Sequence, residues 1–597
     1  MEKNTVLAIV LSVVVISGFY LIQGVFFAPK TPEPVRPSAV SEAPVMESPA
    51  QSSDLFPAEE SVPAEEVLSE VPAEAGPVSE EYITVNTELL TVTLSNKGGD
   101  IVSWRLKEHT GTEGFVEMIL SGDEEAHAFA VAFGNQNAQP VNSLFNVRRI
   151  DPYTVEFYRN FSVPGGGLFR LSKRYLFKPA DYMFELTVSL DGGRDMQNFN
   201  FGGAAYTLGF GPQIGPKFEK LDQRYEYRNY FSYTNGKRRQ EKVNDNNPNI
   251  IGSRPAWAAI AGKYFTFIAV PYLAQYDMVF SQRQEPGLSN ASRLFIIRPP
   301  LASARTEDTY RFYLGPKNQD ALAVYNNGNN GFGLSNLELV SVASTSGILA
   351  PLETALKWLL RLFQSFVHNW GIAIILLTIF VKVLFFPLTR KSSESTLKMQ
   401  ALSPKIKELQ EKYKDNPQKL NAEMAEFYKK EGYNPVAGCL PMLLQIPIFF
   451  AMYNLFNNHF DLRGALFIPR WIPDLSLPES VYHFTNFSIP ILGWTDIRLL
   501  PFIYVGSQLL YGKVTQTPDQ QSNTQMKMML YAMPVIFFFI LYDVPSGLLI
   551  YWIMSNLLTL VQQVAINRYI AAKKAAAAAE APPVPQPKIA PKKRKKR

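Results

Sequence analysis

Runs of apolar residues predict where this chain crosses a membrane. The first, Val6–Phe27, has about 22 residues, enough to span a bilayer core of about 30 Å. No small-residue cleavage site follows it, so an uncleaved anchor over residues 1–27 is favoured over a secretory signal peptide. Five more runs follow beyond residue 368: Trp370–Leu388, Gly438–Phe456, Leu499–Tyr511, Met526–Tyr542 and Gly547–Val564. We therefore predict six transmembrane helices.

Two segments of different pattern lie between the anchor and the later runs. Residues 28–81 are rich in Pro, Ala, Ser and Glu, and they hold too little apolar surface to offset the entropy of ordering. We predict a disordered acidic tether there. From Tyr82 to about Gly315, apolar and polar residues alternate between turn signals, which predicts an all-β sandwich domain over residues 82–335. A structural or docking role is favoured for it, because no closely spaced acid pair stands in a recognisable setting.

Two other segments combine apolar residues at helical spacing with charged faces. Residues 351–367 directly precede a span, which predicts an amphipathic helix lying in the bilayer interface. A helix packed on the β-domain is the alternative. In residues 392–433 the apolar residues recur every three or four positions on both sides of Asp415-Asn416-Pro417. This pattern predicts an antiparallel helical hairpin.

The distribution of positive charge predicts the topology. Lys and Arg number 58 against 53 Asp and Glu, a mild net charge of +5. Basic residues are concentrated in Arg390–Tyr433 and in the tail, residues 571–597. Because positively charged loops stay cytoplasmic, we predict both termini inside and the β-domain outside. The positive charge of the tail favours binding to ribosomal RNA or to anionic lipid. The alternative is a tail that is solvated and binds neither.

Overall composition excludes several classes of chemistry. The chain is 47% hydrophobic with a mean hydropathy of -0.05, an average that hides the segregation described above. A single cysteine, Cys439, excludes an intrachain disulfide, and five scattered histidines have no metal-ligand spacing. Residues 506–513 faintly resemble a phosphate-binding loop, but Val514 stands where Ser or Thr is needed. We predict no cofactor and no nucleotide hydrolysis.

Lys382 is the most conspicuous candidate for function, because it lies inside the apolar run Trp370–Leu388. A cation at the bilayer centre costs about 2.5–3.5 kcal/mol, so Lys382 is expected to face protein or water. The alternative is snorkelling towards the headgroups, since Arg390 is about 12 Å further along a helix. Polar residues in the other spans are individually more typical of interhelical hydrogen bonds: Gln445, Ser507, Gln508, Ser555, Asn556, Gln562 and Gln563.

Several motifs beyond residue 350 resemble those of the YidC membrane protein insertases. The resemblance covers about residues 350–570. The motifs are NPVAGCLPMLLQIPIF (Asn434–Phe449), MPVIF (Met533–Phe537), PSGLLIYWIMSN (Pro545–Asn556), WIPDLS (Trp471–Ser476) and FPLT (Phe386–Thr389). The anchor, tether and β-domain resemble the long Gram-negative form of that family.

The resemblance implies a five-helix core over residues 368–570 with a hydrophilic groove, and a periplasmic β-supersandwich domain. Lys382 occupies the position of a positively charged groove residue, where many members have Arg. Thr378 and Trp552 match positions associated with substrate sliding, although Tyr is common where Trp552 stands. Three further polar residues are assigned to the groove: Gln445, Ser507 and Ser555.

In function, the resemblance implies an insertase and chaperone of the bacterial inner membrane, not an enzyme. It would insert, fold and help assemble nascent membrane proteins, alone or with the Sec translocon. The ribosome and targeting factors would engage the cytoplasmic hairpin and the basic tail.

Two competing functions have less support. A secondary transporter would need a repeat and an acidic partner for Lys382, and neither is evident in the sequence. An intramembrane hydrolase using Ser555 or Ser507 with Lys382 would need a strained nucleophile motif, which is also lacking.

Overall fold

The structure is a computed structural model that describes residues 79–580 with short gaps. The gaps are 112–113, 123, 164–166, 195, 212, 219–225, 244–247, 253, 273, 286–287, 345–347, 434–439, 486, 491 and 516–523. The predicted anchor, all but the last residues of the tether, and the tail beyond residue 580 lie outside the described residues. The described chain forms two compact units, a β-domain before the gap at 345–347 and a helical unit after it.

The β-domain contains two nine-stranded sheets. The first has the order β1-β2-β3-β6-β11-β19-β18-β15, with β4 paired to β3. Its strands are β1 Tyr82–Asn86, β2 Leu90–Ser95, β3 Asp100–Gly111, β4 Gly114–Glu117, β6 Ala128–Ala132, β11 Tyr206–Phe210, β15 Asn249–Ile251, β18 Asp277–Glu285 and β19 Leu288–Arg298. A separate small sheet joins β5 Ile119–Leu120 to β12 Gln213–Ile214.

The second large sheet has the order β14-β13-β16-β17-β20-β10-β9-β8-β7. Its strands are β7 Asn146–Asp151, β8 Thr154–Ser162, β9 Leu168–Leu176, β10 Met183–Asp191, β13 Asn229–Thr234, β14 Lys237–Glu241, β16 Trp257–Ala261, β17 Phe265–Tyr272 and β20 Arg305–Pro316. All pairings between these strands are antiparallel.

Aromatic side chains fill the space between the two sheets. Phe210 of β11 stacks on Phe267 of β17 with ring centroids 4.1 Å apart, and Phe129 of β6 lies 4.6 Å from Phe312 of β20. Alternation along the strands produces this core, because successive side chains point to opposite faces of a sheet. The prediction of a β-sandwich is therefore confirmed.

The β-domain continues past residue 335, where the sequence analysis ends it. After β20 come a short helix, α1 (Gln319–Ala323), and a 3-10 turn at Leu339–Ala343. The Trp257 indole donates to the Leu337 carbonyl at 2.6 Å, and Arg238 donates to the Ser344 carbonyl at 2.9 Å. These bonds tie the segment as far as Ser344 to the strands.

Eight helices longer than one turn make up the described helical unit. They are α2 Ala350–Val367, α3 Trp370–Leu384, α4 Phe386–Lys412, α5 Pro417–Lys430, α6 Leu440–Asn458, α7 Leu500–Thr515, α8 Thr524–Leu541 and α9 Ser546–Glu580. A 3-10 turn at Phe460–Leu462 and a two-stranded ribbon, β21 Tyr482–His483 with β22 Asp496–Ile497, lie between α6 and α7. Helix α9 packs against α3, α6 and α7, and α8 packs against α7.

The first span of the core ends earlier than predicted. Helix α3 stops at Leu384 and not at Leu388, and the chain bends by 56° into α4. Pro387 explains the bend, because it has no N–H to bond the Val383 carbonyl and its ring would clash with that oxygen. Helix α4 consequently begins at Phe386, ahead of the predicted hairpin at 392–433. The break within the hairpin lies where it was predicted, and Asn416 caps α5.

By length and apolar composition, Ser546–Ala572 in α9 is long enough to cross a membrane. The bent pair Trp370–Leu384 and Phe386–Ser395 would be a second if it forms one span, and Tyr531–Leu541 is a shorter apolar helix. The predicted number of six spans is not confirmed by the described residues.

We expect Gly371→Ala to destabilise the helical unit. An added Cβ would lie 2.0 Å from a ring carbon of Phe467, so the ring must move, and such overpacking typically costs about 1–3 kcal/mol. This exceeds the gain of about 1 kcal/mol in helix propensity. Thermal unfolding of the detergent-solubilised chain should show a lower midpoint. Gly506→Ala is the matched control, since nothing lies within 4 Å of its Cβ position in α7. Equal midpoints for the two variants would contradict the argument.

Candidate functional site

A row of polar side chains runs along one side of the apolar helix α9. Ser555, Thr559 and Gln562 are spaced by four and three residues, which places them on one helical face. Asn556 and Gln563 flank that row. We call these five residues the polar face of α9.

Lys382 of α3 is bonded to this polar face. Its Nζ donates to Thr559 Oγ1 at 2.8 Å, and Gln562 Nε2 donates to the Lys382 carbonyl at 3.1 Å. The Thr559 hydroxyl donates its own proton to the Ser555 carbonyl at 2.7 Å, so its lone pairs remain to accept from the ammonium group. In the described part of the chain no carboxylate forms an ion pair with Lys382. Its charge is therefore balanced only by neutral dipoles.

Helix α7 is bonded to the polar face of α9 one turn before Thr559. Asn556 Nδ2 donates to Ser507 Oγ at 3.0 Å, and Ser507 in turn donates to the Tyr504 carbonyl at 2.7 Å. The Lys382 ammonium donates to Thr559, and not to the hydroxyl of Ser507 or Ser555. The serine–lysine dyad considered as an alternative is therefore not formed among these residues.

Trp552 extends the site with an apolar surface. Its indole stacks on Phe449 of α6 with centroids 5.0 Å apart and planes 4° from parallel, and it lies 5.9 Å from Tyr504. Three buried polar atoms here have no hydrogen-bond partner among the described residues: Trp552 Nε1, Gln508 Oε1 and Gln562 Oε1. Buried polar groups are normally hydrogen-bonded, so these three atoms retain unused hydrogen-bonding capacity.

Of the six residues predicted from the sequence, Trp552 and Ser555 lie on α9, and Lys382 and Ser507 are hydrogen-bonded to its polar face. Thr378 lies one turn before Lys382 on α3, but it is fully buried and its hydroxyl donates to its own helix, to the Ile374 carbonyl at 2.7 Å. Gln445 is exposed on α6.

Thr559 is the functional candidate that sequence reasoning missed. A threonine in an apolar span is an unremarkable residue on its own. Its position four residues after Ser555 and three before Gln562 was the available signal, because that spacing makes a polar stripe along one helix.

Helix α4 also contacts α9, on the C-terminal side of Thr559. Ser393 Oγ donates to Gln563 Oε1 at 3.2 Å, and the Arg390 guanidinium lies 4.6 Å from the centre of the Tyr569 ring. These contacts connect the base of the hairpin to the polar face of α9.

Comparison with known proteins identifies the family. Residues 362–574 match the family model described as 60Kd inner membrane protein, and residues 82–340 match that of the YidC periplasmic domain. The membrane protein insertase YidC of Treponema denticola is 44% identical over 95% of this chain and 99% of its own length. The chain belongs to the YidC family. The YidC insertase of Treponema pallidum is 38% identical over 95% of this chain and 99% of its own length.

Among solved structures, an active YidC insertase matches with a TM-score of 0.35 at 17% identity, covering 81% of this chain and 92% of that one. As a YidC protein, the chain is a membrane insertase of the inner membrane with a periplasmic domain, and not an enzyme. The family resemblance in the motifs is thereby confirmed.

Proposed function

We propose that this chain inserts nascent membrane proteins through a hydrophilic groove lined by Lys382 and the polar face of α9. The observation that supports it is the Lys382 ammonium, which bonds a threonine hydroxyl and no carboxylate among the described residues. A partly buried cation balanced by dipoles retains its attraction for an incoming anion. In this proposal Gln445, Ser507 and Ser555 are the further polar residues of the groove, and Thr378, fully buried and bonded to the Ile374 carbonyl, belongs to the wall that carries Lys382.

The energetic role of the groove is to reduce the desolvation of a charged tail. An acidic outward-going segment would lose several kcal/mol of solvation in bare lipid, and less beside the Lys382 cation. The following apolar segment then moves into lipid past Trp552 and gains roughly 25 cal/mol per Å² of buried apolar surface. No nucleotide is needed for this step.

Helix α2 is proposed to lie in the membrane interface beside the groove. Its buried face packs on α3 and α6, where Asn454 Nδ2 donates to Glu353 Oε1 at 2.7 Å. Trp358 and Phe366 on its other side are 63% and 72% exposed, as suits an amphipathic helix in contact with lipid.

The remaining proposals concern topology and partners. The charge pattern supports six spans with both termini in the cytoplasm. In that orientation the hairpin of α4 and α5 would receive the ribosome and targeting factors, together with the basic tail. We also propose that the chain works either alone or beside the Sec translocon.

Reconstitution tests the proposed function. Purified chain in proteoliposomes, without nucleotide, is offered a released two-span substrate that has an acidic outward loop. We expect protease protection of that loop several-fold above empty liposomes. Protection equal to that of empty liposomes, with chain shown to be folded, would reject autonomous insertion and favour a Sec-dependent chaperone.

A further inference from the structure

Three ligand-type side chains meet at one end of the β-domain, where the chain enters β1. One ligand atom from each of Glu80, Glu125 and His127 lies within 4.8 Å of the others. His127 Nε2 is 3.8 Å from Glu125 Oε2. None of these residues belongs to the helical unit or to the groove proposed above.

Hydrogen bonds from Ser95, at the end of β2, and from Asn96 hold Glu80 and its neighbours in place just before β1. The Asn96 side chain accepts from the Glu81 N–H at 2.8 Å and donates to the Ser79 carbonyl at 3.2 Å. Ser95 Oγ donates to a Glu80 carboxylate oxygen at 2.7 Å. Because Asn96 is fully buried, the entry of the chain into β1 is fixed, and Glu80 with it.

A buried carboxylate lies behind His127. Ile101 of β3 pairs with Ala128 of β6 in antiparallel register, and Asp100 and His127 approach each other diagonally across that pair. Asp100 is fully buried. Its Oδ1 accepts from Lys173, and its Oδ2, which has no hydrogen-bond partner among the described residues, lies 3.4 Å from His127 Nδ1.

This arrangement has the form of a carboxylate–histidine–metal site. Metal-binding histidines usually donate one ring N–H to a carboxylate and ligate through the other nitrogen. His127 Nδ1 also has no hydrogen-bond partner among the described residues, and a proton on it would point to Asp100 Oδ2 at 3.4 Å. That tautomer leaves the Nε2 lone pair on the Glu125 side of the cluster.

We propose that Glu80, Glu125 and His127 bind a Zn²⁺ ion, with Asp100 as the positioning residue for His127. Zinc accepts imidazole and carboxylate ligands together, whereas calcium and magnesium prefer oxygen alone. Tetrahedral zinc, with bonds of about 2.0–2.2 Å, separates its ligand atoms by roughly 3.3–3.6 Å. The three ligand atoms lie within 4.8 Å of one another, so binding would draw the exposed Glu125 carboxylate closer to His127 and Glu80. The ion would fasten the start of β1 to the beginning of β6.

Zinc binding to the full-length chain in detergent tests this proposal. Equilibrium dialysis of tag-free chain against Zn²⁺ should give one ion per chain. Glu125→Gln, which keeps the shape of an exposed side chain, should weaken binding at least tenfold, and His127→Gln should do the same. Zinc should also raise the thermal midpoint of the wild-type chain and leave both variants unchanged.

His483→Gln is the matched control, because His483 Nδ1 also faces a carboxylate, Asp496, at 3.0 Å, outside any three-ligand group found among the described residues. It should bind zinc as the wild type does. Equal zinc affinity in wild type, Glu125→Gln and His127→Gln would overturn the site, as would preferential binding of Ca²⁺. The measurement does not depend on insertion, so its failure is distinct from failure of the proposed function.

Discussion

Lys173→Met is expected to lower the free energy of unfolding of the β-domain by about 3–5 kcal/mol. Lys173 and Asp100 are both fully buried and form an ion pair, and Lys173 Nζ also donates to the Gly98 carbonyl at 3.0 Å. Burial lowers the pKa of Lys173, and the Asp100 carboxylate opposes that fall. Removing the cation leaves a buried carboxylate without its counter-charge, which is more costly than the loss of the pair as a whole.

Hydrogen–deuterium exchange on the full-length chain measures this effect. Since each 1.4 kcal/mol is a factor of ten, amides of β3 and β9 should exchange about 100- to 4000-fold faster in Lys173→Met. Arg174→Met is the control on the same strand. Arg174 is 44% exposed and pairs with Glu307 at the surface, a kind of contact worth about 0–1 kcal/mol.

A second variant separates lost charge balance from lost packing. Lys173→Met combined with Asp100→Leu removes both charges, and apolar replacement of a buried pair is often close to neutral. We expect the double variant to exchange more slowly than Lys173→Met alone. If the amides of β3 and β9 are equally protected from exchange in Lys173→Met and in Arg174→Met, the Lys173–Asp100 pair does not stabilise the domain.

The alternation of apolar and polar residues predicted the β-domain well. The same alternation places Lys173 on the buried face of its strand. In β9 the buried residues are Phe169, Leu171, Lys173 and Tyr175, all on one face. Charged residues are usually exposed, so the sequence alone favours a solvated Lys173. Its partner is Asp100, 73 residues earlier in the chain, and local pattern does not report such distant pairs.

The helical unit shows a different limit of sequence reasoning. Hydropathy predicted where most helices lie, but it treated Trp370–Leu388 as one run, although Pro387 ends α3 at Leu384. Lys382 could be predicted as a functional residue because burying a cation in an apolar span is costly. Its partner Thr559 could not be found this way, because helix–helix contacts depend on packing and not on the composition of either helix.

Reversing the charge at Lys382 is expected to change which substrates are inserted. At an effective dielectric constant of about 20, a carboxylate about 8 Å from the ammonium group gains about 2 kcal/mol. Loss of that attraction in Lys382→Ala should reduce insertion of substrates with acidic tails about 10- to 30-fold. Lys382→Glu should reduce it further, because repulsion replaces attraction. Lys382→Arg should retain insertion, since the charge is kept.

The proteoliposome assay with paired substrates tests this expectation. Each Lys382 variant is offered one substrate with an acidic tail and the same substrate with its acids changed to amides. We expect the ratio of acidic to neutral insertion to fall from wild type to Lys382→Ala to Lys382→Glu, while the neutral substrate changes little. Lys513→Glu, an equal change of charge at an exposed position at the end of α7, should leave the ratio unchanged. A constant ratio across the Lys382 series would show that the groove cation does not attract the tail, and Thr559 would then be a structural partner of a structural lysine.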